Sequence, residues 1–216
     1  MQRFKLMMTY AVAILGAILM AVFGVKPLIA FSLILAVGLY LIYKQIYTVY
    51  FSKNLQRIEK FITDQQNNPV YNHLYMSAHG TKEEELAAID LILASYKQPL
   101  VQHTYLFNRA ILLDDIEMAE KEASQIPKEP YHSYYTAYVK ALKGDAEGAR
   151  AASFEKDWMT YAIEAIIAWQ LKDVNTFEAQ VTKSLETVRG IQYYQSFHAF
   201  RKLKDELMDT QSQEEI

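Results

Sequence analysis

Residues 131–189 read YHSYYTAYVKALKGDAEGARAASFEKDWMTYAIEAIIAWQLKDVNTFEAQVTKSLETVR. The stretch holds no proline, and its only glycines are Gly144 and Gly148. Its apolar residues recur at helical spacing, broken at Gly144-Asp145 and Lys172-Asp173. The same opening stands upstream at Asp114-Asp115. These connections recur at about thirty residues, a period that signals stacked helical hairpins. The pattern predicts helices over Leu100–Leu113 and Asp115–Ile126, Tyr131–Lys143 and Asp145–Lys156, then Asp157–Lys172 and Asp173–Arg189. A last helix, Ile191–Met208, closes the array. Pro127, Pro130 and Gly190 fall between pairs, where breakers belong.

Two features of this stretch are candidate binding residues. Tyr131, Tyr134, Tyr135 and Tyr138 form one stripe of a helix. A tyrosine stripe either packs hairpin against hairpin or presents apolar bodies with polar tips to a partner. Glu164 is the sole charge between Trp158 and Leu171, in a helix apolar on nearly every side and therefore central. A carboxylate there is either paired with a cation, Arg150 or Arg189 being candidates, or stands at a groove rim for a partner.

Residues 143–149, KGDAEGA, resemble the turn into the second helix of the tetratricopeptide-repeat (TPR) family. Asp115-Ile116-Glu117-Met118-Ala119 repeats it, and residues 173–177 repeat it with Phe177 where a small residue is usual. The Trp, Leu-Gly and Tyr positions of the family's first helix are not clearly present, and the period is shorter than the usual one. The resemblance covers roughly Val70 to Leu207. It implies a curved helical stack that binds peptides or partner proteins on its concave face and has no chemistry of its own.

Upstream, Thr81 and Glu84 spell a capping box that opens a helix with Leu86, Ile89, Ile92 and Leu93 inward. Val70 to His79 reads as a short helix ended by Gly80. Lys44 to Gln66 has neither Gly nor Pro, and Tyr47, Phe51, Leu55, Ile58 and Ile62 keep helical spacing. This predicts an amphipathic helix continuous with the segment before it, ended by Asn67-Asn68-Pro69. Its stripe has three candidate partners: the protein's own domain, the lipid headgroups, or a second copy.

The first fifty residues are of another kind. No charged residue lies between Met7 and Val25 or between Leu28 and Tyr43. A helix needs roughly twenty apolar residues to cross a bilayer. Two spans are predicted, about 4–25 and 28–47, folded back at Lys26-Pro27. Arg3 and Lys5 precede the first span, while Lys44, Lys53, Arg57 and Lys60 follow the second. Positive residues stay cytoplasmic, which places both termini on the cytoplasmic side of the cell membrane. Ala13, Ala17 and Ala21 on the first span, and Ser32 and Ala36 on the second, are small residues at four-residue spacing. They suit close packing within the hairpin, with a homodimer interface as the alternative.

Charge follows the same division. Residues 1–60 carry about +6 and the remainder about −9, within a net charge of −3. An acidic domain without a basic stripe argues against nucleic-acid binding. The chain has no cysteine, so it has neither disulfides nor thiolate sites. His73, His79, His103, His132 and His198 show no metal-binding spacing along the sequence. No phosphate loop or serine elbow is present, and the reading assigns no enzyme activity, metal or cofactor.

The expectation is an all-α protein: an N-terminal transmembrane helical hairpin followed by a TPR-like α-solenoid of stacked helical hairpins. The expected parts are a hairpin at 1–51, an amphipathic juxtamembrane helix at 52–68, a helical domain at 69–208 and a disordered tail at 209–216. The expected function is that of a scaffold or adaptor that binds a protein or peptide at the cytoplasmic face. The compact anchor and short linkers point to a bacterial protein. Two alternatives stand beside this: an accessory subunit of an integral membrane enzyme or secretion complex, and a small-ligand binder or enzyme using the tyrosine groove.

Overall fold

The structure, a computed structural model, describes residues 26–214 together with Ile14, Gly16, Val22 and Gly24. The first predicted span, including Ala13, Ala17 and Ala21, therefore lies largely outside the described residues. From Pro27 onward the described chain is helical, with no strand. It divides into two compact units, residues 1–47 and 48–216.

Helix α1, Pro27–Tyr50, starts on the proline, whose fixed φ suits a first helical position. Residues Phe31–Tyr50 are long and apolar enough to cross a membrane, and only 6% of the apolar window is buried. Ser32 turns its hydroxyl onto the Leu28 carbonyl of its own helix at 2.8 Å, and both Ser32 and Ala36 are exposed.

The expected unbroken helix from this segment to Gln66 does not form. Helix α1 ends at Tyr50, and α2, Leu55–Asp64, begins anew. Capping chemistry makes the break. Asn54 accepts from the Arg57 N–H at 2.9 Å, and the Ser52 hydroxyl accepts from the Asn54 N–H at 3.1 Å. A distant residue fixes it further, for the Gly190 N–H donates to the Ser52 carbonyl at 2.7 Å. After the break α2 rolls its stripe into the protein. Ile58 and Ile62 are fully buried against Leu74, Ala78 and Tyr194. Of the predicted stripe, Ile58 and Ile62 meet the domain itself, while Tyr47 and Phe51 stay exposed.

The domain continues as α3 (Pro69–His79), α4 (Lys82–Ser95), α5 (Pro99–Leu112), α6 (Ile116–Ser124) and α7 (Tyr131–Leu142). Then come α8 (Ala146–Arg150), α9 (Asp157–Gln170), α10 (Val174–Thr187) and α11 (Gly190–Glu214). Asn68 caps α3 through the Val70 N–H, and the Thr81–Glu84 capping box opens α4 with both reciprocal bonds formed. From α2 to α11 each helix packs on its sequence neighbours.

The three repeated turns share one design. Asp114, Gly144 and Lys172 take positive φ, at 58°, 80° and 58°. The next residue, Asp115, Asp145 or Asp173, sends its N–H back to Ala110, Lys140 or Ala168, each at 2.9 Å. This is the six-to-one bond of a Schellman turn. Each aspartate then caps the following helix through Met118, Gly148 or Thr176 N–H. One local sequence thus closes one helix and opens the next.

Three expectations change at the ends. Helix α8 stops at Arg150, so the predicted Asp145–Lys156 helix keeps little more than its first turn. The tail predicted as disordered is helical through Glu214. And α11 does not simply close the stack: it packs on α2 and α3 as well as on α9 and α10. In a strict solenoid each repeat touches only its neighbours. Here the last helix ties the start of the domain to its end.

Candidate functional site

The tyrosine stripe sits on α7 and is half-buried. Tyr134 lies among Tyr138, Phe154 and Trp158, the last with ring centres 5.1 Å apart. Tyr135 and Tyr138 both turn edges toward Phe107 of α5, at 4.6 and 5.9 Å. Such tilted and edge-on pairs are the favoured aromatic geometries. Burial pushes the Tyr138 hydroxyl up to about 12, and it holds Tyr134 and Tyr135 well above the ordinary phenol value. These phenols stay neutral across the physiological range. Tyr131 stands at the edge, with Lys156 over its ring. The stripe therefore packs α7 onto α5 and onto the irregular segment leading to α9.

Glu164 meets Arg150 in a two-pronged pair, Oε1 to Nε and Oε2 to Nη2, each at 2.8 Å. Arg150 is the last residue of short α8, so the pair fixes α8 against central α9. The bond and charge of Glu164 raise the Arg150 pKa further. Both partners keep contact with water, which limits the pair to about 1 kcal/mol or less. Glu164→Gln and Arg150→Ala should each destabilise by that order, and a double-mutant cycle should recover a coupling of about 0.5–1 kcal/mol. A coupling indistinguishable from zero contradicts the structural role.

Folding assembles a third group that sequence spacing did not show. Glu59 of α2, His79 ending α3 and His198 of α11 bring one ligand atom each to within 4.8 Å of one another. Glu59 Oε1 lies 3.4 Å from His79 Nε2, and the Tyr194 hydroxyl lies 3.3 Å from the same nitrogen. His198 is 5% exposed, and neither of its ring nitrogens has a hydrogen-bond partner. The rings of Tyr194, Phe197 and His79 surround it at 4.5, 5.3 and 5.2 Å. Burial, helped by Arg201 and His79, pushes the His198 pKa down to about 4. At neutral pH it is an uncharged imidazole with an available lone pair.

A second buried histidine lies close by in the fold. His73 of α3 is 3% exposed, with Tyr105 edge-on at 5.1 Å and Glu85 at 3.9 Å. Glu85 itself accepts from Lys202 of α11 at 2.9 Å. Burial holds the His73 pKa below its usual value, Lys202 adds to the shift, and Glu85 opposes it. An unfolded histidine takes up a proton as pH falls through about 6.5, while native His73 takes it up only at a lower pH. Stability is therefore complete above that pH and declines below it. Unfolding by urea at about pH 7.5 and about pH 5.5 should show a smaller acid loss for His73→Phe than for the wild type. Equal losses contradict the assignment.

The sequence signal for the third group was thin. Its members are scattered over three helices, and only their meeting in space marks them. No protein-family model, curated protein or solved structure matches this chain.

Proposed function

We propose that the protein is a membrane-anchored adaptor, in which a two-span hairpin, about residues 4–25 and 28–47, holds a TPR-like helical domain at the cytoplasmic face. Both termini lie inside, and the domain recruits or regulates a protein or peptide partner. The observation that carries this reading is α1: an apolar helix, almost wholly exposed over its membrane-length stretch, that continues into a packed helical domain. An exposed apolar surface of this extent needs a cover, and a bilayer provides one. Tyr40, Tyr43, Tyr47, Tyr50 and Phe51 are exposed toward the C-terminal end of α1, as residues of an interfacial aromatic belt would be. The three repeated Schellman turns support the likeness to hairpin repeats.

The tyrosine rings and Glu164 are engaged within the domain, which argues against a groove built on those residues for a partner or for a small ligand alike. The test is crosslinking of the full-length protein in native membranes, followed by exchange of residues 1–47 for an unrelated two-span anchor. The adaptor predicts that the domain's crosslinks survive the exchange. Their loss identifies the spans as the binding element and makes the chain an accessory subunit of a membrane complex.

A further inference from the structure

We propose that Glu59, His79 and His198 form a binding site for a late first-row divalent cation, Zn2+ foremost, that clasps the last helix of the domain to its first two. The site goes beyond the adaptor reading and stands or falls without it.

The donor set is the first argument. Two imidazoles and a carboxylate suit a borderline cation such as Zn2+, which takes nitrogen and oxygen ligands at about 2.0–2.2 Å. Ligands at that distance in a tetrahedron stand about 3.4 Å apart. Glu59 Oε1 and His79 Nε2 already stand 3.4 Å apart, and the remaining ligand atom lies within 4.8 Å of both. Small side-chain movements complete the arrangement. With three protein ligands, a bound cation would take its fourth ligand from water, and the Tyr194 hydroxyl lies 3.3 Å from His79 Nε2.

The second argument is His198. The contact between Glu59 and His79 is explicable as an ordinary partly exposed ion pair, and the Tyr194–His79 bond needs no metal. Neither accounts for an imidazole 5% exposed, with both nitrogens lacking partners, held at the same point. Buried polar atoms are almost always satisfied, and one that is not asks for a missing partner. The rings of Tyr194, Phe197 and His79 pack around His198 without meeting either nitrogen's hydrogen-bonding need. Of the two cations near His198, Arg201 and Lys202, the second is bound to Glu85.

The third argument is placement. The ligands come from α2, α3 and α11, the elements that join the beginning of the domain to its end. A cation here would join segments far apart in sequence, where closing a long loop gives the greatest constraint on the unfolded chain.

The experiment is a calorimetric titration of the metal-stripped full-length protein in detergent with Zn2+, paired with Co2+ as an optical probe. One saturating equivalent is expected, with a rise in the unfolding temperature and the visible ligand-field bands of a four-coordinate nitrogen–oxygen Co2+ site. Glu59→Gln, His79→Ala and His198→Phe should each weaken binding by at least about tenfold, and His132→Ala should leave it unchanged. Phenylalanine at 198 keeps the ring volume, and helicity by circular dichroism checks that the variants fold. If a variant does not fold, the Co2+ spectrum of the wild type decides. Absent or unsaturable binding overturns the site, as does binding that the three substitutions leave intact or a Co2+ spectrum of octahedral aqua type.

Discussion

Replacing Gly190 by alanine will destabilise the domain by about 3 kcal/mol or more, the sum of an unfavourable left-handed backbone and of overpacking. Gly190 has φ of +61°, where a side chain crowds its own carbonyl. Its surroundings are worse. A Cβ here would overlap the Val49 carbonyl oxygen and lie 2.8 Å from the Tyr50 Cα. These are backbone atoms and cannot swing aside as a side-chain tip could. Alanine must push the start of α11 away from Val49 and Tyr50, and the 2.7 Å bond from Gly190 N–H to the Ser52 carbonyl goes with it. Urea unfolding followed by helix signal checks the prediction, with Gly144→Ala as a comparison. Gly144 also has positive φ, but its Cβ would meet nothing within 4 Å. Its cost should stay near the backbone term alone, about 1–2 kcal/mol. Equal costs at the two positions contradict the close approach.

Replacing Ile62 by alanine should cost about 3 kcal/mol, within the usual range for emptying a buried isoleucine site. The side chain is fully buried in the cluster of Ile58, Leu74, Ala78 and Tyr194. Cavity and lost transfer energy both act, because this cluster is built from three separate helices that cannot all collapse into the gap. Arg57, exposed on the other face of α2, is the control, and Arg57→Ala should change stability by less than about 0.5 kcal/mol. The pair of variants also separates two uses of the stripe. If α2 lay on lipid headgroups, Ile62→Ala would lower membrane affinity and leave the unfolding free energy unchanged. Docking on the domain predicts the reverse.

What could be read in the sequence was governed by local chemistry. The turns at Asp114, Gly144 and Lys172 and the capping box at Thr81 are decided within a few residues, and they were legible. Glu164 announced its need for a cation because it stood alone in an apolar helix, and Arg150 meets it. The helix break at residues 51–54 was not legible. Residues 44–66 contain neither glycine nor proline, and the break depends in part on Gly190, far along the chain. The helical tail was not legible either, because its polar composition resembles a frayed end. The return of α11 onto α2 and α3 has no periodic signature at all. It is also what brings His198 to Glu59 and His79, so the candidate metal site was hidden with it.

The helical domain and its apolar lead helix make one architectural claim, that this chain is anchored in a bilayer by its N-terminal segment. Extraction of native membranes carrying the full-length protein with alkaline carbonate, followed by flotation, tests that claim most directly. The protein is predicted to float with the lipid after extraction, as an integral protein does. Its release into the soluble fraction would contradict the anchor and, with it, the placement of the domain at the membrane.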